Sequence, residues 1–350
     1  MARCETRARL PPLIREITIA GGGLAGLALA VSLIRRGVPV KVLEAGNYPR
    51  HRVCGEFISG VSAETLEFLG IRDLFEDARM HRSLCWHAGG SVIHRDVLPV
   101  AAMGMSRYVL DERLRERVEE LGGIVETGVR ARPLPMEGLV WAAGRRPRPG
   151  TWIGLKAHVE NLPMSADLEM HCGSNGYAGL AAVEGGWVNV CGLFRIDHSI
   201  RAKGQGLLES YLEAGGNARL ANLLGRAEWR PGSFSAVAGF ELGLQSSVPG
   251  LLCLGDAASM IPPFTGNGMS MAFQSAETAC GPLVSWAAGA RTWQDAVNTV
   301  RSVLKRRFRK RLAAAGVLHH FLMEASGLAL LRSMACAGLL PFKPMLALVR

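Results

Sequence analysis

Six residues near the start of the chain, Gly21-Gly22-Gly23-Leu24-Ala25-Gly26, fit the spacing G-x-G-x-x-G, and Glu44 follows Gly26 by 18 positions. That pattern is suited to holding a phosphate. Gly21 permits a tight turn, Gly23 lets the backbone come close to a pyrophosphate, and Gly26 lets a helix lie against the preceding strand. A helix opening at Leu24 and Ala25 turns unpaired N–H groups and its positive dipole end toward the phosphates. A carboxylate about 20 residues further on accepts ribose hydroxyls. A glycine-rich packing turn would explain the glycines and leave Glu44 without a purpose, so the stretch reads as a dinucleotide site.

A second constellation lies about 230 residues downstream. Leu251–Leu254 reads as a buried strand, followed by Gly255-Asp256, then Pro263, then Gly266-Asn267-Gly268, and a helix from Met269 to Ala279. A carboxylate at the C-terminal end of a strand sits where α/β sheets take their ligands. Asp256 therefore suits sugar-like hydroxyls of an extended cofactor, although an aspartate there can also be a plain helix N-cap. Between the two lies Asn47–Ser59, NYPRHRVCGEFIS, which carries Arg52, Cys54 and Glu56.

Taken together, these segments resemble the flavoproteins grouped with p-hydroxybenzoate hydroxylase, and within them the geranylgeranyl reductase-like branch. That branch carries P-x(4)-C-G-x-x-x-S, matched by Pro49, Cys54, Gly55 and Ser59. It also carries G-D followed by P-x-x-G-x-G, matched by Gly255, Asp256, Pro263, Gly266 and Gly268. The resemblance implies FAD spanning both constellations, with the helix after Gly268 facing the pyrimidine end of the flavin. It implies that Arg107, at the start of a crossover helix, touches FAD, with Val129 at the adenine end. It places the 50–56 loop beside the isoalloxazine, where Cys54 and Glu56 are candidates for substrate contact or proton delivery. The competing reading makes Cys54 a small buried hydrophobe and Glu56 a surface ion. Tyr177 and Asn189 are candidates for the substrate face. NAD(P)H is the expected reductant, docking transiently, since the sequence holds no second G-x-G-x-x-G.

The chain also departs from that pattern. About ten residues separate Arg130 from the strand at Leu139, too few for the usual β-meander, and the following A-D-G is replaced by Ala142-Ala143-Gly144. The Y-x-W-x-F-P segment of the geranylgeranyl reductases survives only as Tyr177, and no two tryptophans stand in the W-x-W spacing of the related halogenases. The expected activity is thus an FAD-dependent monooxygenase acting on a small apolar aromatic or polyketide-like molecule. Reduction of C=C bonds in a prenyl lipid is the alternative, and a non-catalytic flavoprotein scaffold a third.

Several elements must position these residues. Glu16–Ala20, Leu24–Arg36 and Val38–Leu43 read as strand, helix and strand, and Leu110, Leu114, Val118 and Leu121 mark a helix with one apolar face. The expected fold class is α/β: a Rossmann-like, doubly wound FAD-binding domain from residues 14–75, 100–150 and 240–295. A mainly antiparallel β substrate domain from 76–99 and 151–239 is inserted, and 296–350 is helical. Candidate strands of the insertion are Thr151–Glu160, Ala166–His171, Tyr177–Val183 and Trp187–Phe194, alternating only partly, as in a sheet covered on one side.

Composition narrows the partners. Of 350 residues, 49% are hydrophobic and the formal charge is +10, which excludes a disordered chain. Seven basic residues and no acid fill 301–311, and Arg3, Arg7, Arg9 and Arg15 stand against Glu5 in 1–15, so the rest of the chain is formally neutral. No basic stripe remains for a phosphate backbone, which argues against nucleic acid. Eight cysteines without C-x-x-C or zinc spacing point to reduced thiols in the cytoplasm and to no metal site. The segment 301–350 joins a basic helix to apolar helices, which suits peripheral contact with an anionic inner membrane face. The sequence says nothing of oligomeric state.

Overall fold

A computed structural model describes residues 14–145, 147–245 and 248–349. The expected basic residues Arg3, Arg7 and Arg9, and Cys4, lie outside the described residues.

The chain opens with β1 (Ile17–Ala20), α1 (Leu24–Ile34) and β2 (Val40–Leu43). Every residue of α1 from Leu24 to Leu33 is buried, so the apolar run that gives it no polar face makes it a core helix. Next come β3 (Phe57–Ile58), α2 (Ala63–Leu69) and the long hairpin β4 (Arg79–Ala88) and β5 (Ser91–Gly104). α3 (Arg107–Glu120), capped by the Ser106 hydroxyl, leads into β6 (Ile124–Glu126) and β7 (Leu139–Trp141). β8 (Trp152–Glu160), β9 (Leu168–Cys172), β10 (Gly176–Ala182) and β11 (Val188–Arg195) follow. Then come α4 (Gln205–Ala214), α5 (Ala218–Leu224), β12 (Glu228–Trp229), β13 (Ser235–Ala238), β14 (Gly243–Leu244), β15 (Leu252–Cys253) and β16 (Ser259–Met260). Four helices close the described chain: α6 (Gly268–Ala287), α7 (Trp293–Met323), α8 (Ala325–Cys336) and α9 (Phe342–Leu348).

Two sheets organise these elements. The first is parallel, in the order β15-β7-β1-β2-β6. α1 packs between α3 and α6 over it, and the C-terminal ends of β1, β2, β7 and β15 converge where a doubly wound sheet binds its ligand. The second runs β12-β8-β11-β10-β9-β4-β5-β3, antiparallel except for β4 against β9. This is the expected fold class, with differences of detail. β5 continues past residue 100 to Gly104 and pairs with Phe57–Ile58, so the second sheet draws on segments expected in the first domain. The second sheet is also covered on both faces, where cover on one side was expected. α4 and α5, which the sequence reading did not anticipate, bury Leu155, Val159, Val188 and Val190 on one face.

The other face is the one that matters for function. The register aligns Leu84 and Trp86 of β4 with Leu168 and Met170 of β9. It continues through Tyr177, Gly179 and Ala181 of β10 to Leu193, Cys191 and Asn189 of β11, then to Gly154, Lys156 and His158 of β8. Alternation along each strand puts these on one face. That face is apolar over β4, β9, β10 and the Leu193 and Cys191 end of β11, and polar at Asn189, Lys156 and His158.

Candidate active site

The first end of the site is the β1–α1 turn. Gly21 adopts φ +111°, and a Cβ there would lie 2.3 Å from the carbonyl oxygen of Ala142. The Ala142-Ala143-Gly144 turn thus packs directly on the glycine turn. A Cβ on Gly26 would lie 2.0 Å from the Gly21 oxygen, so α1 touches its own turn. Gly23 is different: its Cβ would meet only the Arg107 guanidinium at 3.6 Å. No side chain caps α1 there, leaving a space into which its free N–H groups point.

Glu44 ends β2 as expected. Its carboxylate accepts the Gly22 N–H at 2.8 Å and the Gly46 N–H at 2.9 Å, with Arg50 at 2.7 Å and Arg52 at 3.6 Å. Burial alone would raise its pKa; the Gly46 N–H, the two arginines and the Gly22 N–H hold it below the usual range. Val129 donates its N–H to the Glu44 carbonyl at 2.9 Å and keeps its side chain exposed, so the two residues share one end of the groove.

Arg107 and Arg52 converge on a residue that sequence reasoning missed. Asp111 is fully buried and binds Arg107 through two hydrogen bonds of 2.7 and 2.8 Å, and Arg52 through one of 2.8 Å. Burial works against the Arg107 cation, but Asp111 more than restores it and pushes its pKa up. The signal was present in the sequence: an acid four residues after Arg107. The two guanidiniums therefore stand fixed beside Gly22 and Gly23.

The second constellation closes the other end. The Ser59 N–H donates to the Gly266 carbonyl at 3.1 Å, and the Ser270 hydroxyl donates to the Ser59 carbonyl at 2.5 Å. The Pro49–Ser59 and Gly255–Gly268 motifs are thus bonded to each other. Gly266 takes φ +67°, and a Cβ would strike the Phe57 ring at 2.0 Å. Asn267 is buried, its amide held by the Thr265 carbonyl at 2.8 Å, while its side-chain oxygen has no partner among the described residues. Gly268 and Met269 open α6 without a side-chain cap. Asp256 is exposed to solvent yet ringed by protein, so burial raises its pKa against the pull of Arg107 and Arg145. Cys54 likewise retains accessible surface while burial pushes its thiol up. Groups that are deep and still reached by solvent line a cleft. An open glycine cradle at one end, an unpaired amide oxygen at the other and a carboxylate between fit an extended dinucleotide.

Beside the loops that carry Gly55 and Pro263–Thr265 lies an apolar cavity of about 1020 Å³ of empty space, part of it open to solvent. Gly55, Pro263 and Thr265 form its wall toward the cleft, and Trp86, Met170 and Tyr177 line its sheet side. Leu318, Phe342, Met345, Leu346 and Val349 of the C-terminal helices and their end line it from the opposite direction. Gly179 sits mid-strand in this face, and a Cβ there would meet only backbone oxygens at 3.8 and 3.9 Å. A strand glycine without close neighbours leaves room for a ligand.

Three expected substrate-side residues, Cys54, Glu56 and Asn189, do not line the cavity, whereas Tyr177 and Gly55, the neighbour of Cys54, do. Asn189 is fully buried and donates to the Cys54 carbonyl at 3.0 Å, so it holds the loop rather than the substrate. Glu56, at φ +55°, is neither a surface ion nor in contact with the cavity. It accepts the Arg107 N–H at 2.9 Å and pairs with Lys156 at 3.2 Å and His158 at 2.5 Å. Burial raises its pKa, but His158, Lys156 and the Arg107 N–H outweigh this and hold it ionised. Lys156 also meets His51 at 3.1 Å, whose pKa burial, then Lys156 and His158, lower to about 4. Three fully buried ionisable side chains thus tie the 50–56 loop to β8. Lys156 and His158 were missed because their strand reads from its sequence as ordinary sheet.

Residues 15–130 match the family model described as FAD binding domain. A menaquinone reductase of Mycobacterium tuberculosis is 28% identical over 120 residues, which is 33% of this chain and 29% of that protein. Among solved structures, the fold is similar to pqsL, a probable FAD-dependent monooxygenase from Pseudomonas aeruginosa, with a TM-score of 0.70 and 17% identity, covering 91% of this chain and 99% of that one. It is similar also to Klebsiella pneumoniae HpxO complexed with FAD and uric acid, with a TM-score of 0.72 and 16% identity, covering 95% and 96%. The glycine turn, Glu44 and the matched family model agree: the chain carries an FAD-binding domain, and FAD is its cofactor.

Proposed function

We propose that this protein is an FAD-dependent oxidoreductase, and specifically a monooxygenase that hydroxylates a small apolar aromatic or polyketide-like molecule with NAD(P)H as transient reductant. The observation that carries the reading is the apolar cavity abutting Gly55 and Pro263–Thr265, the loops of the flavin end. FAD, when bound, supplies the redox chemistry. Gly21–Gly26, Glu44, Arg52, Arg107 and Val129 would hold its ADP half. Asp256, Gly266, Asn267, Gly268 and Met269 would hold the ribityl and ring end. The chain's own residues then position and shield. Tyr177 packs edge-on against Phe264, their ring centroids 6.0 Å apart, and with Trp86 and Met170 excludes water from the substrate. Glu56, Lys156, His158 and Asn189 fix the loop that brings Gly55 against this cavity.

A second reading is reduction of a C=C bond in a prenyl or other lipid substrate. It is favoured by the similarity to the menaquinone reductase and by the apolar lining, which suits either substrate class. One experiment separates the two: mass spectrometry of products formed from aromatic and lipid extracts with NAD(P)H, in air and under anaerobiosis. The monooxygenase reading predicts O₂-dependent oxidation of NAD(P)H and a product heavier by one oxygen. Anaerobic turnover to a product heavier by two hydrogens would replace it with the reductase.

A further inference from the structure

The basic run at 301–311 divides into two parts. Arg301 donates to the Leu251 carbonyl at 2.6 Å, Arg307 pairs with Glu277 at 2.7 Å, and Arg311 donates to Gln274 at 2.9 Å. These three fasten α7 to the FAD-binding domain. Lys305, Arg306, Arg309 and Lys310 are exposed, and none pairs with an acid among the described residues. Arg306, Lys310, Ala313, Val317 and Phe321 recur at intervals of three and four, so they form one stripe along α7, and all five are exposed. The stripe is cationic in its first half and apolar in its second, where Val317 is 59% and Phe321 41% exposed.

The residues after it continue this character. Leu330, Leu339 and Leu348 are exposed, as are Arg332 and Lys343. The one acid after Asp295, Glu324, is occupied by Arg195 at 2.7 Å. The same helices supply the outer wall of the substrate cavity through Leu318 and Phe342, so exposed and cavity-facing apolar residues sit side by side at 317 and 318. Among the described residues no single helix is long and apolar enough to cross a membrane; α7 and α8 are so only as a pair, and that pair is bent by 95°.

We propose that α7–α9 form a docking surface for an anionic lipid bilayer, lying in its interface without spanning it, and that the cavity takes its apolar substrate from that bilayer. Unpaired cations beside exposed apolar side chains, with no free acid, complement anionic headgroups over acyl chains. The second half of this proposal rests on the apolar-substrate reading; the first does not.

The test is partition of the full FAD-loaded chain between buffer and vesicles, read by sedimentation without any substrate. Wild type is expected on phosphatidylglycerol-containing vesicles and much less on pure phosphatidylcholine, with binding that falls as salt rises. Each basic residue at an anionic surface is worth about a fivefold change in partition, so Lys305→Gln, Arg306→Gln, Arg309→Gln and Lys310→Gln combined should lower it by roughly two to three orders of magnitude. Val317→Ser with Phe321→Ser should lower it roughly tenfold or more. All six positions are exposed, and retained flavin absorbance verifies the fold of each variant. Absence of wild-type binding, equal binding to both vesicle types, or no loss in either variant would overturn the proposal. So would a stable dimer that the serine variants dissociate, with no vesicle binding. Because no turnover is read, an error in the substrate class leaves this result unchanged.

Discussion

Lys156, Glu56 and His158 are fully buried, and Glu56 reaches Lys156 at 3.2 Å and His158 at 2.5 Å. Removing one member of a buried pair strands the other charge, at a cost of about 3–5 kcal/mol. Unfolding entropy of about 2.1 cal/mol/K per residue over 350 residues converts this to a fall in Tm of roughly 4–7 °C for Glu56→Gln. Lys156→Met alone should cost up to a similar amount, since it takes the lysine cation from the buried carboxylate and leaves it only His158 and the Arg107 N–H. The double variant removes both charges and should recover at least half of the summed loss. The folded pKa of Glu56 lies below its ordinary 4.5, so the ion pair's contribution is complete above pH 4.5 and is lost as pH falls through the folded value. Differential scanning calorimetry at pH 7, at one scan rate, therefore reads the full effect. If the double variant loses the sum of the two singles, the charges are uncoupled and the pair does not act as a unit.

Three further outcomes are expected. Gly23→Ala should keep its Tm but lose at least tenfold in FAD affinity, because its Cβ enters the open cradle. Gly26→Ala should lose both, since its Cβ would lie 2.0 Å from the Gly21 oxygen; calorimetry and flavin titration separate the two. Gly179→Val should retain FAD and raise KM at least tenfold by filling the cavity floor; an unchanged KM would place the substrate elsewhere. Burial, with Arg195 and His320, lowers the His319 pKa to about 4, and neither ring nitrogen has a partner among the described residues. Its folded pKa lies below 6.5, so that stability is present above pH 6.5 and lost as pH falls toward 4, amounting to about 3 kcal/mol. Denaturation across that range should show a shallower acid loss for His319→Phe than for wild type, and equal slopes would contradict this.

The cofactor half of the protein was legible because its chemistry is carried by local rules. A strand, three spaced glycines, a helix and an acid specify a phosphate turn within one short stretch of chain, and the structure places Gly21, Gly23, Gly26 and Glu44 together accordingly. The substrate half depends on register between distant strands, which no local pattern encodes. Lys156 stands opposite Cys191, and His158 opposite Asn189, only because β8 and β11 pair in that alignment. A one-residue slip would send all four to the face under α4 and α5. Asn189 was expected to meet substrate for the same reason: its strand and face were readable, but the loop lying over it was not. The basic run at 301–311 looked uniform in sequence. Only the folded α7 divides it into three arginines that hold the helix and four cations left exposed.

In the proposed arrangement the ADP half of the cofactor is gripped separately from the ring half. Quenching of flavin fluorescence on titration of the apoprotein with FAD and with FMN tests this most directly. Saturation by one FAD per chain is expected, with FMN bound at least two orders of magnitude more weakly, because FMN forgoes the cradle at Gly21–Gly26 and the carboxylate of Glu44. FMN binding as tight as FAD, or no saturable binding of FAD, would contradict it.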